Sequence, residues 1–358
     1  MSESSSTHPS QADYAYQEYI LQGVSRTFAL TIPQLPADLS GVVSNAYLLC
    51  RIADTIEDDK DMSFEQKKIF ADRFINVVAA KEDSDSFARE LHPLLSPASS
   101  SDERDLIENT ASVIRITHEF NPRQRQALER CVRIMSEGMA RYQESNVQNG
   151  LKDQADMDNY CYHVAGVVGE MLTELFCNYS EEINQHHELM MKLAVSFGQG
   201  LQMTNILKDI WEDQSRNMCW LPGDVFEKYD LDLSHLEEGK QTPGFEKALQ
   251  QLIGVAHSHL ANALRYTLLI PGHEVGIRRF CLWALGMAVL TLRKINNNPE
   301  FNAGQQVKIS RRSVKATIIS TNLLTRSDAL LNLLFKLTAS GLPKEKLAGK
   351  FAQTDISA

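Results

Sequence analysis

Apolar side chains recur every third or fourth residue along most of this 358-residue chain, which is the spacing of one face of a helix. The pattern is clearest between Pro122 and Pro222, where 99 residues contain no proline to interrupt a helix. No alternating run long enough for a convincing strand occurs between the other prolines. The sequence therefore predicts an all-α fold built from long helices.

The other prolines and a serine-rich loop at residues 95–102 mark the predicted ends of helices. No repeat of solenoid type divides the chain. We predict one helical domain over residues 11–340, a disordered N-terminal tail over 1–10 and a polar C-terminal tail over 341–358. A hidden domain boundary between Pro222 and Pro243 remains an alternative.

Composition and charge narrow the function classes. The chain is 43% hydrophobic and 23% charged, as in globular proteins, and its net charge of -10 opposes binding to nucleic acid. Six scattered cysteines without a C-x-x-C pair favour neither a disulfide framework nor a zinc site, and they suit a reducing compartment. We therefore expect no nucleic-acid partner and a cytoplasmic location.

Membrane and export signals are weak in this sequence. The N-terminus lacks a basic start followed by an apolar run. The longest strongly apolar stretch, residues 280–292, is too short for a spanning helix, so we expect no transmembrane segment. The leucine-rich residues 321–337 favour packing as a closing helix, and peripheral contact with a membrane is the competing hypothesis.

Two acidic clusters with the same internal spacing are the strongest chemical signal. At about 100° per residue, offsets of three and four place the carboxylates of each cluster on one face of a helix. A single cluster is typical of a solvated face, but a duplicated order of Asp, Glu and Asp favours function. Their oxygen ligands, without nearby histidine or cysteine, favour Mg²⁺ and diphosphate chemistry over iron or zinc. The clusters are Asp54, Glu57 and Asp58, and Asp209, Glu212 and Asp213.

Five segments resemble the squalene synthases of the squalene and phytoene synthase group, which have the class I isoprenoid synthase fold. In order they are GVSRTF (23–28), YLLCRIADTIEDD (47–59), YCYHVAGVVG (160–169), QMTNILKDIWED (202–213) and VKISRR (307–312). The resemblance implies a single helical bundle with a central apolar cavity, in which two farnesyl diphosphates condense head to head to presqualene diphosphate. NADPH then reduces that intermediate to squalene. The alternatives are a dehydrosqualene or phytoene synthase-like enzyme that does not use NADPH, and a non-catalytic lipid-binding or assembly protein.

The resemblance also implies roles for particular residues. The six cluster carboxylates would hold Mg²⁺, with Arg51, Asp54 and Asp209 central to diphosphate departure. The phosphate contacts would be Ser25, Arg26, Arg51, Asn205 and Arg216. Gln202, three residues before Asn205, lies on the same helix face and is a further candidate for substrate binding.

A carbocation needs dry apolar and aromatic walls. The candidates are Phe28, Tyr47, Val164, Val168, Leu201 and Phe280, for which ordinary core packing is the alternative. Tyr160 is the candidate proton acceptor, or else a buried tyrosine with a structural hydrogen bond. Lys308, Arg311 and Arg312 are candidates for NADPH binding, and a solvated or lipid-binding basic face is the alternative.

Overall fold

Residues 8–25, 27–144, 147–236, 238 and 242–347 are described by a computed structural model of the chain. Helices, connected by turns and loops, account for the regular structure of these residues, and an isolated bridge joins Leu151 to Pro222. The predicted all-α class is therefore confirmed. The chain divides into two compact units, one comprising Met1–Glu144 with Glu174–Glu181 and the other Ser145–Thr173 with Glu182–Ala358. One domain over residues 11–340 stays a prediction.

The helices up to residue 144 are α1 (Gln11–Val24), α2 (Phe28–Thr31), α3 (Ala37–Asp58), α4 (Phe64–Val78), α5 (Ser84–Leu91), α6 (Ser101–Glu108), α7 (Thr110–Glu119) and α8 (Pro122–Glu144). Those that follow are α9 (Gln154–Cys161), α10 (Val167–Tyr179), α11 (Glu181–Asn184), α12 (His187–Lys208), α13 (Ile210–Gln214), α14 (Gly223–Glu227), α15 (Pro243–Leu269), α16 (Val275–Asn296), α17 (Gly304–Val307), α18 (Arg311–Leu324) and α19 (Asp328–Thr338). Short 3₁₀ turns cover Ile32–Gln34, His92–Leu94, Val147–Asn149 and Leu233–His235, and a π-helical turn covers Tyr162–Gly166.

Serine side chains cap the N-termini of several of these helices. At the start of α1, Ser10 accepts the Asp13 backbone N–H while the Asp13 carboxylate accepts the Ser10 N–H. The same reciprocal capping box begins α4 and α6. Each box satisfies two backbone donors that a helix start otherwise leaves open, which fixes where the helix begins.

In the first unit, α3 packs against α1, α4, α7 and α8. Its buried Asn45 holds this arrangement together, because the amide donates to the Val113 carbonyl at 2.9 Å and to Gln17 Oε1 at 3.1 Å. The Thr117 hydroxyl in turn donates to Asn45 Oδ1 at 2.8 Å. A buried amide with its bonds satisfied fixes the register of α3 more specifically than apolar contact alone.

In the second unit, α12 packs closely on α15 and on the π-helical turn. Glycines make this approach possible: a Cβ on Gly198 would collide with the Ala165 carbonyl, and one on Gly200 would lie 3.0 Å from the His259 Cβ. The buried His259 Nδ1 lies 2.7 Å from the Ser196 hydroxyl. Both glycines lie inside α12, where they allow neighbouring helices to approach closely.

Helix α16 extends beyond the thirteen apolar residues noted in the sequence. Within the described ranges, Val275–Asn296 is long and apolar enough to cross a membrane by length and composition, and 56% of its most apolar window is buried. It packs against α12, α15 and α18. Helices of this kind occur in membrane spans and in protein cores alike, so the absence of a transmembrane segment stays a prediction.

The C-terminal region differs from the single closing helix expected at residues 321–337. Ser327 caps a new helix by accepting the Leu330 N–H, so this stretch is divided between α18 and α19. Beyond α19, the Pro343 carbonyl lies 2.7 Å from His257 Nδ1 of α15. The predicted tails otherwise lie outside the described residues at 1–7 and 348–358.

All six cysteines are buried free thiols. Burial raises the pKa of Cys281 to about 12, which keeps this thiol protonated and unreactive at neutral pH. The absence of a disulfide framework stays a prediction.

Candidate active site

The first acidic cluster occupies the last two turns of α3. Asp54, Glu57 and Asp58 follow one another at the predicted helical spacing, and the helix ends at Asp58. Beyond the helix end, the Asp59 carboxylate accepts the N–H groups of Met62 and Ser96. The carboxyl end of a helix carries partial negative charge, so three carboxylates there need positive charge to stabilise them.

Burial and mutual repulsion raise the pKa values of Asp54 and Glu57. Burial raises the pKa of Asp54 to about 7, with Arg51 acting in the opposite direction and Asp58 adding to the rise. Burial and the charges of Asp58 and Asp54 raise the pKa of Glu57 to about 8. The cluster therefore holds protons near neutral pH unless a cation offsets its charge.

Arg51 connects the cluster to an aromatic pair. Its Nη2 donates to the Tyr47 hydroxyl at 2.9 Å, and its Nη1 lies 4.0 Å from Asp54 Oδ2 and 3.9 Å from Glu103 Oε1. The Tyr47 hydroxyl donates to the Val24 carbonyl at 3.0 Å. This network holds the guanidinium in a fixed orientation beside the carboxylates.

The remaining predicted residues of this region lie on either side of Tyr47. The Phe28 and Tyr47 rings are 5.0 Å apart, and the buried Ser25 hydroxyl accepts the Phe28 N–H at 3.0 Å. The structure thus brings Ser25, Phe28, Tyr47 and Arg51 together. Arg26 lies outside the described residues.

A cleft of about 290 Å³ lies beside Glu57 and is lined by residues of α3, α4 and α8. Lys67 Nζ and Gln143 Nε2 each donate to the Glu57 carbonyl at 2.6 Å. The two donors satisfy a carbonyl near the end of α3 and place an amine close to the cluster. Sequence spacing gave no signal for Lys67, Gln143 or Glu103.

The second acidic cluster is built differently. Asp209 lies between α12 and α13 with φ −102° and ψ 16°, so this cluster spans a helix break and does not lie on the single helix that was predicted. That its three carboxylates share one face stays a prediction. The Asp213 N–H still donates to the Asp209 carbonyl at 2.9 Å. Lys208 Nζ lies 3.0 Å from Asp209 Oδ2. A side chain this long reaches around the helix surface to pair with its neighbour.

A glycine far along the chain supports this cluster. The Gly304 N–H donates to Glu212 Oε1 at 2.8 Å, and a Cβ on Gly304 would lie 3.1 Å from Asp209 Oδ1. Trp211 Nε1 fixes the same segment by donating to the Phe301 carbonyl at 2.7 Å. The other oxygen of Glu212, Oε2, is buried without a hydrogen-bond partner among the described residues. Gly304 was not predicted, because nothing in the neighbouring sequence signals a contact 92 residues away.

Tyr160 packs in an aromatic stack. It is buried, and its ring lies 3.9 Å from the Trp220 ring with the two planes 6° apart. The π-helical turn begins two residues later, at Tyr162. Such turns are frequent at functional sites because they shift side chains relative to an α-helix. The stack fixes the ring of the candidate proton acceptor, and Trp220 was not predicted.

The other predicted residues of the second unit differ in exposure. Phe280 is buried, whereas Val164, Val168, Leu201 and Gln202 are partly exposed and Asn205 and Arg216 are exposed. Lys308, Arg311 and Arg312 are exposed around the start of α18, where Ser310 caps the helix. Within the described ranges, no three His, Cys, Asp or Glu side chains are grouped closely enough to hold one ion. The roles of these residues stay predictions.

Comparison with known proteins identifies the family. Residues 21–313 match the squalene/phytoene synthase family model. The chain is 30% identical to the squalene synthase of Solanum lycopersicum over 87% of the chain and 71% of the relative. It is 28% identical to that of Cyberlindnera jadinii over 85% of the chain and 66% of the relative. The chain thus spans about two thirds of the length of these curated relatives.

Solved structures agree on the fold. The complex of TcSQS with the ligand BPH1237 matches with a TM-score of 0.73 and 24% identity over 94% of each chain. A dehydrosqualene synthase complex matches with a TM-score of 0.64 and 19% identity, over 88% of this chain and 98% of the other. The predicted isoprenoid synthase fold is confirmed, and the chain is similar to squalene synthases, as its sequence segments indicated. The chain belongs to the squalene/phytoene synthase family.

Proposed function

We propose that this protein condenses two farnesyl diphosphates to presqualene diphosphate, releasing one diphosphate and one proton. The same protein then reduces that intermediate with NADPH to squalene, releasing the second diphosphate and NADP⁺. The observation that carries the proposal is the pair of acidic clusters, each supported by its own basic and polar neighbours within a chain of this family.

Both clusters suit Mg²⁺ by the chemistry of their donors. Crowded carboxylates with raised pKa values in the first cluster, and an unpartnered buried oxygen on Glu212 in the second, are groups that a hard cation satisfies. The proposed ligands are Asp54, Glu57, Asp58, Asp209, Glu212 and Asp213. When bound, Mg²⁺ supplies positive charge that stabilises a departing diphosphate.

The chain's own cations and polar groups complete diphosphate binding in this proposal. Arg51, oriented by Tyr47, presents a guanidinium whose paired donors match phosphate oxygens. Ser25, Arg26, Asn205 and Arg216 are proposed to add further contacts, with Gln202 beside Asn205. These donors bind the leaving group more strongly as its charge develops, which favours bond cleavage.

After ionisation, the allylic cation has to be kept from water. The Phe28 and Tyr47 rings offer π faces, and we propose Val164, Val168, Leu201 and Phe280 as further apolar residues that exclude water. Formation of the cyclopropane ring removes one proton from carbon. Tyr160, held by the stack on Trp220, is the proposed acceptor.

NADPH carries phosphates that basic side chains recognise. Lys308, Arg311 and Arg312 are exposed within five residues and fit that chemistry, so we propose them as the cofactor-binding group. When bound, NADPH supplies the hydride for the second step. The residues' own task is to hold the phosphates.

The test is product analysis with purified protein, farnesyl diphosphate and Mg²⁺, with and without NADPH. The proposal requires presqualene diphosphate without NADPH and squalene with it. A conjugated triene formed regardless of NADPH would identify a dehydrosqualene synthase-like enzyme instead. Absence of diphosphate release under both conditions would favour the non-catalytic lipid-binding hypothesis.

A further inference from the structure

Helices α18 and α19 expose an apolar surface that we define by Ile319, Leu323, Leu330, Leu333 and Leu337. Their exposed fractions range from 45% for Leu330 to 79% for Leu323. The other strongly exposed large apolar residues of the described part are spread over α1, α2, α4 and α10. A group of five on two contacting helices marks an interaction site more strongly than scattered single residues do.

Helix α18 carries its polar threonines on the buried face and its large apolar residues on the exposed face. A helix that only covers a core has the opposite arrangement. Its buried face carries Thr317 and Thr321, and a Cβ on Gly286 of α16 would lie 2.5 Å from Thr317 Cγ2. Its outward face carries Ile319 and Leu323, one helical turn apart. On α19, Leu331 is buried while Leu330, Leu333 and Leu337 are exposed. Several large apolar residues of α18 and α19 therefore take no part in packing within the second unit.

Basic side chains accompany the apolar surface. Residues 308–346 contain eight Lys or Arg and two Asp or Glu, giving a charge of +6 in a chain whose total is -10. One of the two acids, Asp328, pairs with the buried Arg278 at 2.7 Å. Lys315 lies one turn before Ile319 on the exposed side of α18, and the exposed Arg326 follows the end of that helix. Long basic side chains of this kind keep their charge at a polar boundary while their stems cover apolar atoms.

We propose that the α18–α19 apolar surface docks on an anionic lipid bilayer. Charge decides between this occupant and a second copy of the chain. A two-fold contact would bring the same basic side chains together, and like charges repel, whereas anionic headgroups attract them. The inserted leucines then enter the acyl boundary beneath the headgroups. This docking goes beyond the proposed function and requires no catalytic step.

The test is sedimentation of the full chain with vesicles of phosphatidylcholine, with and without phosphatidylglycerol, in the absence of substrate. We expect binding that needs the anionic lipid and weakens between about 0.1 M and about 1 M salt, where the Debye length falls from about 10 Å to about 3 Å. Replacing Leu323→Gln and Leu337→Gln together should lower the partition coefficient by at least about tenfold. Lys315→Gln and Arg326→Gln should each lower it about fivefold on anionic vesicles alone.

The matched control is the double variant Tyr19→Gln and Ile69→Gln, which removes two exposed apolar side chains of the first unit and should bind like the parent. Equal binding to neutral vesicles, or undiminished binding of the leucine variant, would overturn the proposal. So would a dimer in sedimentation velocity that the leucine variant converts to a monomer, because the occupant would then be a second copy. Circular dichroism checks the folding of every variant. Since no turnover is measured, these results stand whether or not the protein makes squalene.

Discussion

The two acidic clusters share the spacing Asp-x-x-Glu-Asp, yet their surroundings differ. The first lies on a continuous helix, and burial together with its own crowding raises the pKa values of Asp54 and Glu57. The second crosses a helix break, where a lysine pairs with Asp209 and a backbone N–H donates to Glu212. Identical spacing therefore does not imply identical electrostatics. The first cluster depends more on a bound cation, and the second is partly stabilised by the protein itself.

The largest expected effect is loss of the leading carboxylate of either cluster. Asp54→Asn and Asp209→Asn should each reduce diphosphate release by about 10² to 10³, because each removes a proposed Mg²⁺ ligand. A release assay with farnesyl diphosphate measures both. The matched controls are Asp61→Asn and Asp230→Asn, which make the same change at exposed positions. Full turnover of both cluster variants would refute metal-assisted ionisation at these residues.

The next effect concerns Arg51, which lies 4.0 Å from Asp54 in the first cluster, whereas a lysine, Lys208, pairs with Asp209 in the second. Arg51→Gln should lower kcat by about 10 to 10², since the guanidinium contributes most when leaving-group charge develops. Arg51→Lys should retain more of kcat than Arg51→Gln but less than the parent, because an ammonium lacks the paired donors of a guanidinium.

Steady-state kinetics that separate kcat from KM measure the effect of Arg51. Arg73→Gln is the control, because Arg73 pairs with Glu82 at 2.6 Å and Glu90 at 2.8 Å away from the cluster. A rise in KM with unchanged kcat would mean that Arg51 only binds substrate and does not favour the transition state.

A smaller effect is expected from Gly304→Ala, which disturbs the second cluster alone. The added Cβ would lie 3.0 Å from Glu212 Oε1 and 3.1 Å from Asp209 Oδ1, so the carboxylates have to shift. We expect about a tenfold loss of turnover and a higher Mg²⁺ requirement, measured by titration with Mg²⁺. Gly41→Ala is the control, because nothing lies within 4 Å of its added Cβ. An unchanged Mg²⁺ requirement would show that Gly304 does not position the cluster.

Local periodicity predicted the helices and the carboxylate spacing because both repeat within a few residues. Asp54, Glu57 and Asp58 lie in α3 as their offsets indicated. The break at Asp209 was not predictable, because it coincides with contacts from Lys208 and from Gly304. The same limit applies to Glu103, which belongs to α6 and whose carboxylate lies 3.9 Å from Arg51. Long-range partners of this kind follow from the fold and not from spacing.

The outward face of α18 shows a second limit of the sequence pattern. A single amphipathic stretch over residues 321–337 was expected, but helical periodicity does not state which face meets the protein. Thr317 and Thr321 face inward, and Leu323 faces outward. Apolar residues usually mark the buried face, so periodicity alone favoured the opposite orientation. The contact of α18 with α16 determines which face is buried. At Gly286 the two helices lie so close that a small side chain, Thr317, fits between them.

The smallest effect concerns the stability of the metal-free protein. It separates the clusters, because removing a carboxylate charge should stabilise the first cluster and not the second. Because the folded pKa of Glu57 lies above its ordinary value, the metal-free protein loses stability as pH rises towards and through about 8. Glu57→Gln removes that loss and should raise the free energy of unfolding at about pH 8.5 by about 1 kcal/mol, with little change at about pH 5. Glu212→Gln should give no such gain, because a backbone N–H already donates to that side chain and the amide oxygen can still accept it. Urea unfolding in the presence of a chelator measures both variants. A pH-independent change in Glu57→Gln, or an equal gain in Glu212→Gln, would mean that the clusters are electrostatically alike.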